Sequence, residues 1–247
     1  PGKIMYVDGE RSEGLPPTHE RIYALGPRAD SKKTTRCYFG AMVLGMAGPE
    51  TQKKIFDHQF RVNNAKKKFL SYMVSNCVAF REKAFTDLSN IATVHFGGFC
   101  SGIADGNRTN IQESPFDGFI EKWMDNINGV FQDYRFGLVM ENQKSDGYIT
   151  EKMANAFLSG TVPIWYGTRE VFDVFNERAF VFYDIEDPQP ALDRIIYLEK
   201  NETTYDEVQN EPILANGDQS IEDYFSLRDD AGGGKLKKRI RNMLGYQ

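Results

Sequence analysis

Cysteine is scarce in this chain. Its 247 residues hold three, Cys37, Cys77 and Cys100, far apart and with no CxxC pair. Structural zinc sites draw their thiolates from such pairs, and small disulfide scaffolds from an even set at close spacing, so neither is expected and the three read as ordinary buried thiols. Histidine is just as sparse: His19, His58 and His95 are scattered, which leaves structural or surface roles and no histidine-rich metal constellation. Positive charge is not in excess. Thirty Lys and Arg against 35 Asp and Glu give a net charge of −5, the wrong sign for a duplex nucleic-acid binder whose affinity rests on neutralising phosphates. The short basic runs at Lys66–Lys68 and Lys235–Arg241 read as solvated faces. No apolar run approaches the roughly 20 residues of a membrane-spanning helix, and nothing resembles a signal peptide, so the chain as given is expected to be soluble, with no membrane segment.

What is present is enough for a real core. Hydrophobic residues make up 40% of the chain, consistent on length with one large domain or two small ones. The first third reads as short extended segments, Ile4–Val7, Arg21–Leu25 and Cys37–Leu44, separated by turns such as Gly14–Pro17. From Pro49 the pattern alternates: helix Pro49–His58, strand Phe69–Val74, helix Phe80–Ser89, strand Thr93–Phe96. A polar loop is expected at Gly102–Pro115, then a helix over Asp117–Asn128, strand Phe136–Met140, helix Thr150–Leu158 and strand Val162–Tyr166. Further helices are expected at Glu170–Phe175, Pro188–Leu198, Thr204–Asn210 and Ile221–Arg228, with a basic amphipathic tail at Lys235–Leu244 whose Leu236, Ile240 and Leu244 can pack back on the body. Such β/α alternation implies a parallel sheet with helices on its faces.

Ligands of parallel α/β sheets bind outside the carboxyl ends of the strands, where the N–H groups of the next helix face an anion. Residues Asn142–Lys152 occupy that position. Strand Phe136–Met140 delivers Glu141 and Asn142 to the sheet edge, Lys144–Gly147 forms the loop, and Thr150 is placed to cap a helix whose core face is Met153, Ala156 and Phe157. Tyr148, Glu151 and Lys152 then stand at the helix mouth. A nucleotide-sugar donor needs compensation for its diphosphate, acceptors for ribose hydroxyls and an aromatic or amide surface; Lys152, Glu151, and Tyr148 with Asn142 match those needs in turn. Solvated first-turn charges would look the same in isolation.

The whole string is more specific. The blocks Met140-Glu141-Asn142, Tyr148-Ile149-Thr150-Glu151-Lys152 and Val162-Pro163-Ile164-Trp165-Tyr166-Gly167 resemble glycosyltransferase family 10, the α-1,3/α-1,4-fucosyltransferases, which carry F-E-N, Y-[VI]-T-E-K and V-P-[IV]-x-[YW]-G in this order and spacing. Met140 departs from the usual Phe. Upstream, Val74-Ser75-Asn76 and Arg81 match the family's strand ending in Ser-Asn and the arginine that contacts the donor diphosphate. Near the start, Gly9-Glu10 and Tyr23-Ala24-Leu25-Gly26 match a Gly-Glu pair and the Tyr-Ala-[IL]-Gly segment that follows it. The resemblance covers about residues 66–212, and the start of the chain more weakly.

It implies a GT-B-like α/β fold, two Rossmann-like β/α/β domains facing a cleft, the N-terminal one short or truncated. The corresponding division is an acceptor-side domain at 1–65, a donor-binding domain at 66–212 and a helical tail at 213–247. Glu10 is the implied general base, and Ser75, Asn76, Arg81, Asn142, Tyr148, Glu151 and Lys152 the implied donor-binding residues. The implied chemistry is inverting transfer of fucose from GDP-fucose to an oligosaccharide or glycoprotein acceptor, with no metal and no further cofactor. The chain has no DxD triplet, the usual metal–diphosphate bridge of the other major glycosyltransferase fold. One alternative is UDP-xylose on the same scaffold, since the methyl that distinguishes the sugars contributes only about 1 kcal/mol. The other is a non-catalytic glycan- or nucleotide-binding relative. Family resemblance points to a Golgi-type, bacterial or viral glycan pathway without choosing among them. The sequons at Asn107 and Asn201 matter only in a secretory compartment.

Overall fold

The computed structural model describes residues 2–7, 20–27, 31–38, 68–102, 108–114, 131–220, 223 and 234–246. The expected helices at Pro49–His58 and Asp117–Asn128, the turn at Gly14–Pro17 and nearly all of Ile221–Arg228 lie outside the described residues, as do Glu10, His19 and His58.

A strand covered on both faces has no polar side to its pattern. That rule accounts for the centre of the larger sheet: β4 (Lys68–Val74) is buried from Phe69 to Met73, and β7 (Tyr134–Leu138) and β8 (Val162–Trp165) are buried throughout. With β5 (Val94–Gly98), β6 (Ile111–Glu113) and β9 (Val181–Phe182) they form a six-stranded sheet in the order β6-β5-β4-β7-β8-β9, every pairing parallel. Counted from β4 this is 3-2-1-4-5-6, the doubly wound order, whose switch point lies between β4 and β7. One face carries α1 (Ala79–Leu88), α4 (Gln189–Lys200) and α5 (Glu202–Gln209), with Phe85, Leu88, Ile195 and Tyr205 packed on Leu70, Tyr72 and Phe136. The opposite core is built from α2 (Glu151–Leu158) and α3 (Val171–Val174), with Met153, Phe157, Trp165 and Phe175 at its centre.

A second, smaller parallel sheet is formed by β1 (Ile4–Val7), β2 (Ile22–Gly26) and β3 (Thr34–Arg36) in that order. The strand expected at Cys37–Leu44 lies mostly outside the described residues: only Cys37 and Tyr38 are described, and they follow β3 as buried residues without regular structure. The last helix, α6 (Lys235–Leu244), turns its apolar stripe inward as expected, burying Leu236 and packing Ile240. Its ties reach the small sheet: Thr35 Oγ1 lies 3.3 Å from the Met243 sulfur, and Arg239 donates to the Arg36 carbonyl at 3.1 Å.

Two expectations fail in instructive ways. The polar stretch Gly102–Pro115 is not all loop, because Ile111–Glu113 pairs with β5 as an edge strand with only Ile111 partly buried. The cysteines are not all free thiols: Cys77 and Cys100 form a disulfide, and Cys37 alone is a buried free thiol. They stand 23 residues apart in sequence, but each follows the carboxyl end of one of two adjacent parallel strands, which brings their Cα atoms to 5.2 Å.

Candidate functional site

The two strands flanking the switch point end at Val74 and Leu138, and the residues that follow them converge on one arginine. Arg81, in the first turn of α1, is 1% exposed. It donates from Nη1 to the Met140 carbonyl at 3.2 Å and from Nη2 to the Asn76 carbonyl, bridging the two chain segments. Its Nε has no hydrogen-bond partner. A buried guanidinium without a carboxylate clamp is costly. Burial accordingly lowers its pKa, while electrostatic interaction with the Tyr72 hydroxyl, the Glu141 and Glu82 carboxylates and the Tyr148 hydroxyl opposes that shift. Ser75 and Asn76, beside it, are exposed at the sheet edge.

Across the switch point, Glu141 is fully buried. A carboxylate in that position must be matched by donors, and the start of α2 supplies them: the Thr150 N–H at 2.7 Å, the Thr150 hydroxyl at 2.9 and 2.8 Å, and the Lys152 ammonium at 3.1 Å. Lys152 Nζ also donates to Thr150 Oγ1 at 2.9 Å. Thr150 is therefore the residue before α2, as expected, but its hydroxyl makes no capping bond to the helix. The carboxylate of Glu141 takes that place, fixing the helix mouth from outside. Asn142, Glu151 and Lys152 are half-buried, whereas the Tyr148 ring is buried at 5% exposure behind the loop. Lys144 Nζ reaches over the Tyr166 ring at 5.9 Å.

The loop after β5 completes the edge. The disulfide joins it to the residue after Asn76, the Phe99 N–H donates to the Val74 carbonyl at 3.2 Å, and the Gly102 N–H donates to Glu82 Oε2 at 2.7 Å. Glu82 Oε1 accepts from the Tyr72 hydroxyl. These ties leave Phe99 standing out at 71% exposure. Cys77, Glu82 and Cys100 cluster within 4.8 Å, but the sulfurs are bonded to each other and both Glu82 oxygens are engaged, so this donor set does not fit a metal ion.

Of the residues expected at the site, Asn76, Arg81, Asn142, Glu151 and Lys152 thus stand around the carboxyl ends of β4 and β7, with Ser75 next to them and Tyr148 behind. Glu10 lies outside the described residues. Glu141 and Glu82 stand outside the set of site residues expected from the sequence. Glu141 carries a signal of its own: an acid immediately after a fully buried strand has no water to turn to. For Glu82 nothing marked it, since its partners come from β4 and from a loop 20 residues on.

A family model described as glycosyltransferase family 10 (fucosyltransferase), C-terminal, matches residues 63–209, a span that takes in the whole six-stranded sheet. The chain is similar to an alpha-(1,3)-fucosyltransferase of Helicobacter pylori, 32% identical over 142 residues that cover 57% of this chain and 26% of that protein. It is also similar to an alpha-(1,4)-fucosyltransferase of Arabidopsis thaliana, 29% identical over 103 residues covering 40% and 26%. The matched part thus spans about a quarter of the length of each of these relatives. Among solved structures, an alpha1,3-fucosyltransferase crystallised with GDP-fucose superposes with a TM-score of 0.63 at 22% identity, covering 98% of this chain and 75% of that one. At that identity the likeness is one of fold, and it bears out the expected α/β, GT-B-like architecture.

Proposed function

Because the chain belongs to glycosyltransferase family 10, the fucosyltransferases, we propose that it is a glycosyltransferase that moves L-fucose from GDP-fucose to a hydroxyl of a glycan or glycoprotein acceptor, with inversion. The observation that carries this reading is the convergence of Arg81 and Lys152 on the switch point of the six-stranded sheet, where a doubly wound fold binds its nucleotide. The family relatives named as fucosyltransferases support the choice of sugar, and the solved enzyme with GDP-fucose supports the choice of donor.

In this reading the diphosphate lies across the mouth of α2. Its charge is met by Lys152, by the helix N-terminus and by Arg81, the part a divalent metal plays in other transferases. Asn142 and Glu151 are its hydroxyl and amide partners, and Tyr148 backs the loop that carries them. The acceptor hydroxyl attacks C1 from the face opposite the diphosphate, its proton passes to the Glu10 carboxylate, and the C1–O bond breaks to release GDP. Residues 66–212 are the donor-binding part, 1–65 the acceptor-side part that brings the base, and 213–247 the tail.

Calorimetric titration with GDP-fucose, GDP-mannose and UDP-xylose tests the donor. Binding of guanosine donors alone is expected, and binding of UDP-xylose alone refutes fucose. Glu10→Gln is expected to abolish turnover while leaving donor affinity nearly intact. Unchanged turnover removes Glu10 from the chemistry.

A further inference from the structure

We propose that Glu170 is a positioning residue that fixes the donor loop to the small sheet, so that donor affinity depends on an ion pair that does not touch the donor. The inference rests on the donor reading above and extends it to residues outside the helix mouth.

Glu170 follows β8 and directly precedes α3, away from the switch point. One carboxylate oxygen pairs with Arg36 Nη1 at 2.6 Å; the other accepts from the Gly147 N–H and from the Thr168 hydroxyl at 3.1 Å. Arg36 is the last residue of β3, and its Nε donates to the Pro27 carbonyl, just past β2, at 3.1 Å. Gly147 closes the contact from the other side. Its φ is +67°, and a Cβ at this position would collide with that same Pro27 carbonyl. The ends of β2 and β3, the donor loop and the segment after β8 therefore meet at one carboxylate.

An exposed ion pair would carry little weight. This one differs in two respects: both side chains are about three-quarters covered, at 22% and 26% exposure, and the carboxylate also satisfies a buried backbone N–H. Gly147 immediately precedes Tyr148 and lies four residues before Glu151. Its left-handed conformation, which residues with a Cβ adopt only at a cost, sets the direction in which the loop enters the helix mouth. Loss of Arg36 leaves Glu170 free to turn from Gly147, so the small sheet and the donor loop lose their shared anchor.

The test is a double-mutant cycle read by calorimetric binding of GDP. Arg36→Met and Glu170→Gln are each expected to raise Kd by about tenfold, the order of one lost charge-assisted hydrogen bond, and the double variant to bind no worse than either alone. Arg36→Lys is expected to recover part of the loss. Wild-type affinity in both single variants, or effects that multiply in the double, overturns the proposal. If the unsubstituted protein itself fails to bind GDP, the donor reading falls, and amide exchange at Gly147–Ile149 judges the anchor separately. Faster exchange in Arg36→Met than in the unsubstituted protein supports it, and equal exchange overturns it. Exchange also decides the matter for any variant too unstable to titrate.

Discussion

Reduction of the Cys77–Cys100 bond is expected to cost this protein a sizeable part of its stability while leaving the sheet intact. The bond spans 23 residues of sequence. In the chain-entropy account, closing a loop of about two dozen residues removes about 11.5 cal/mol/K from the unfolded ensemble, or about 3.4 kcal/mol at 25 °C. A typical domain has only about 5–15 kcal/mol in total. The native state has other means of holding the same loop, the Phe99 N–H on Val74 and the Gly102 N–H on Glu82, so the reduced form keeps its strand ends together. The loss should therefore show in the unfolding equilibrium rather than as a collapse of structure. Urea denaturation with and without a phosphine reductant measures it: with a slope of about 2–3 kcal/mol/M, the midpoint should fall by about 1.1–1.7 M. The Cys77→Ser, Cys100→Ser double variant should start at the lower midpoint and ignore the reductant. Thiol titration of the denatured, unreduced protein should return one group, Cys37. Three titratable thiols, or a midpoint that reductant does not move, would refute the pairing and the reasoning built on it.

Glu141→Ala strands the Lys152 ammonium and the Thr150 N–H at a buried site and should destabilise by about 3–5 kcal/mol, whereas Glu141→Gln, which keeps an acceptor, should cost about 1–3 kcal/mol; equal melting of the two variants would contradict the contacts described. His95 packs edge-on to Tyr134, and burial, with the nearby Lys68 charge, lowers its pKa from the ordinary 6.5. The unfolded chain then binds a proton that the folded one refuses, so the stability contributed is present above about pH 6.5 and is lost as pH falls below it; His95→Gln should flatten the fall in urea midpoint between about pH 7 and 5.5. Cys37 is buried and its pKa is pushed up to about 12 by that burial; it should resist thiol reagents in the folded protein at pH 8, and rapid labelling would show that the site opens.

The parts of the fold legible in the sequence are those in which local pattern and burial agree. Strands β4, β7 and β8 are apolar because both faces are covered, and α2 shows its inward face, Met153, Ala156 and Phe157, at helical spacing. The elements that escaped have no such agreement. Strand β6 exists only because β5 offers it an edge, and β9 is two residues long. Arg135 hides the start of β7, since a charge there is acceptable only once Glu199 and Glu202 reach it from α4 and α5 at 2.9 and 2.5 Å and Tyr205 lies beneath it at 4.0 Å. At the site, the motif residues gather at the carboxyl ends of β4 and β7, but the sequence pattern that marks Thr150 as a helix cap misleads. The reason is that its true partner, Glu141, is nine residues away and its burial depends on the whole sheet. The disulfide was hidden for the same reason: its geometry belongs to the pairing of β4 with β5 and not to any spacing of cysteines.

The small sheet has a timing problem. Lys3, next to β1, donates to the Leu244 carbonyl and lies over the Tyr246 ring at 5.2 Å, while α6 covers β2 and β3. Chains generally fold in the order in which they leave the ribosome, at about 5–20 residues per second. Here β1–β3 wait for a helix made about 200 residues later, a delay on the order of 10–50 s at that rate. During synthesis the larger sheet can close on itself while β1–β3 remain uncovered. Chaperone dependence and aggregation of nascent chains should therefore trace to β1–β3, although they are made before the sheet that closes without them.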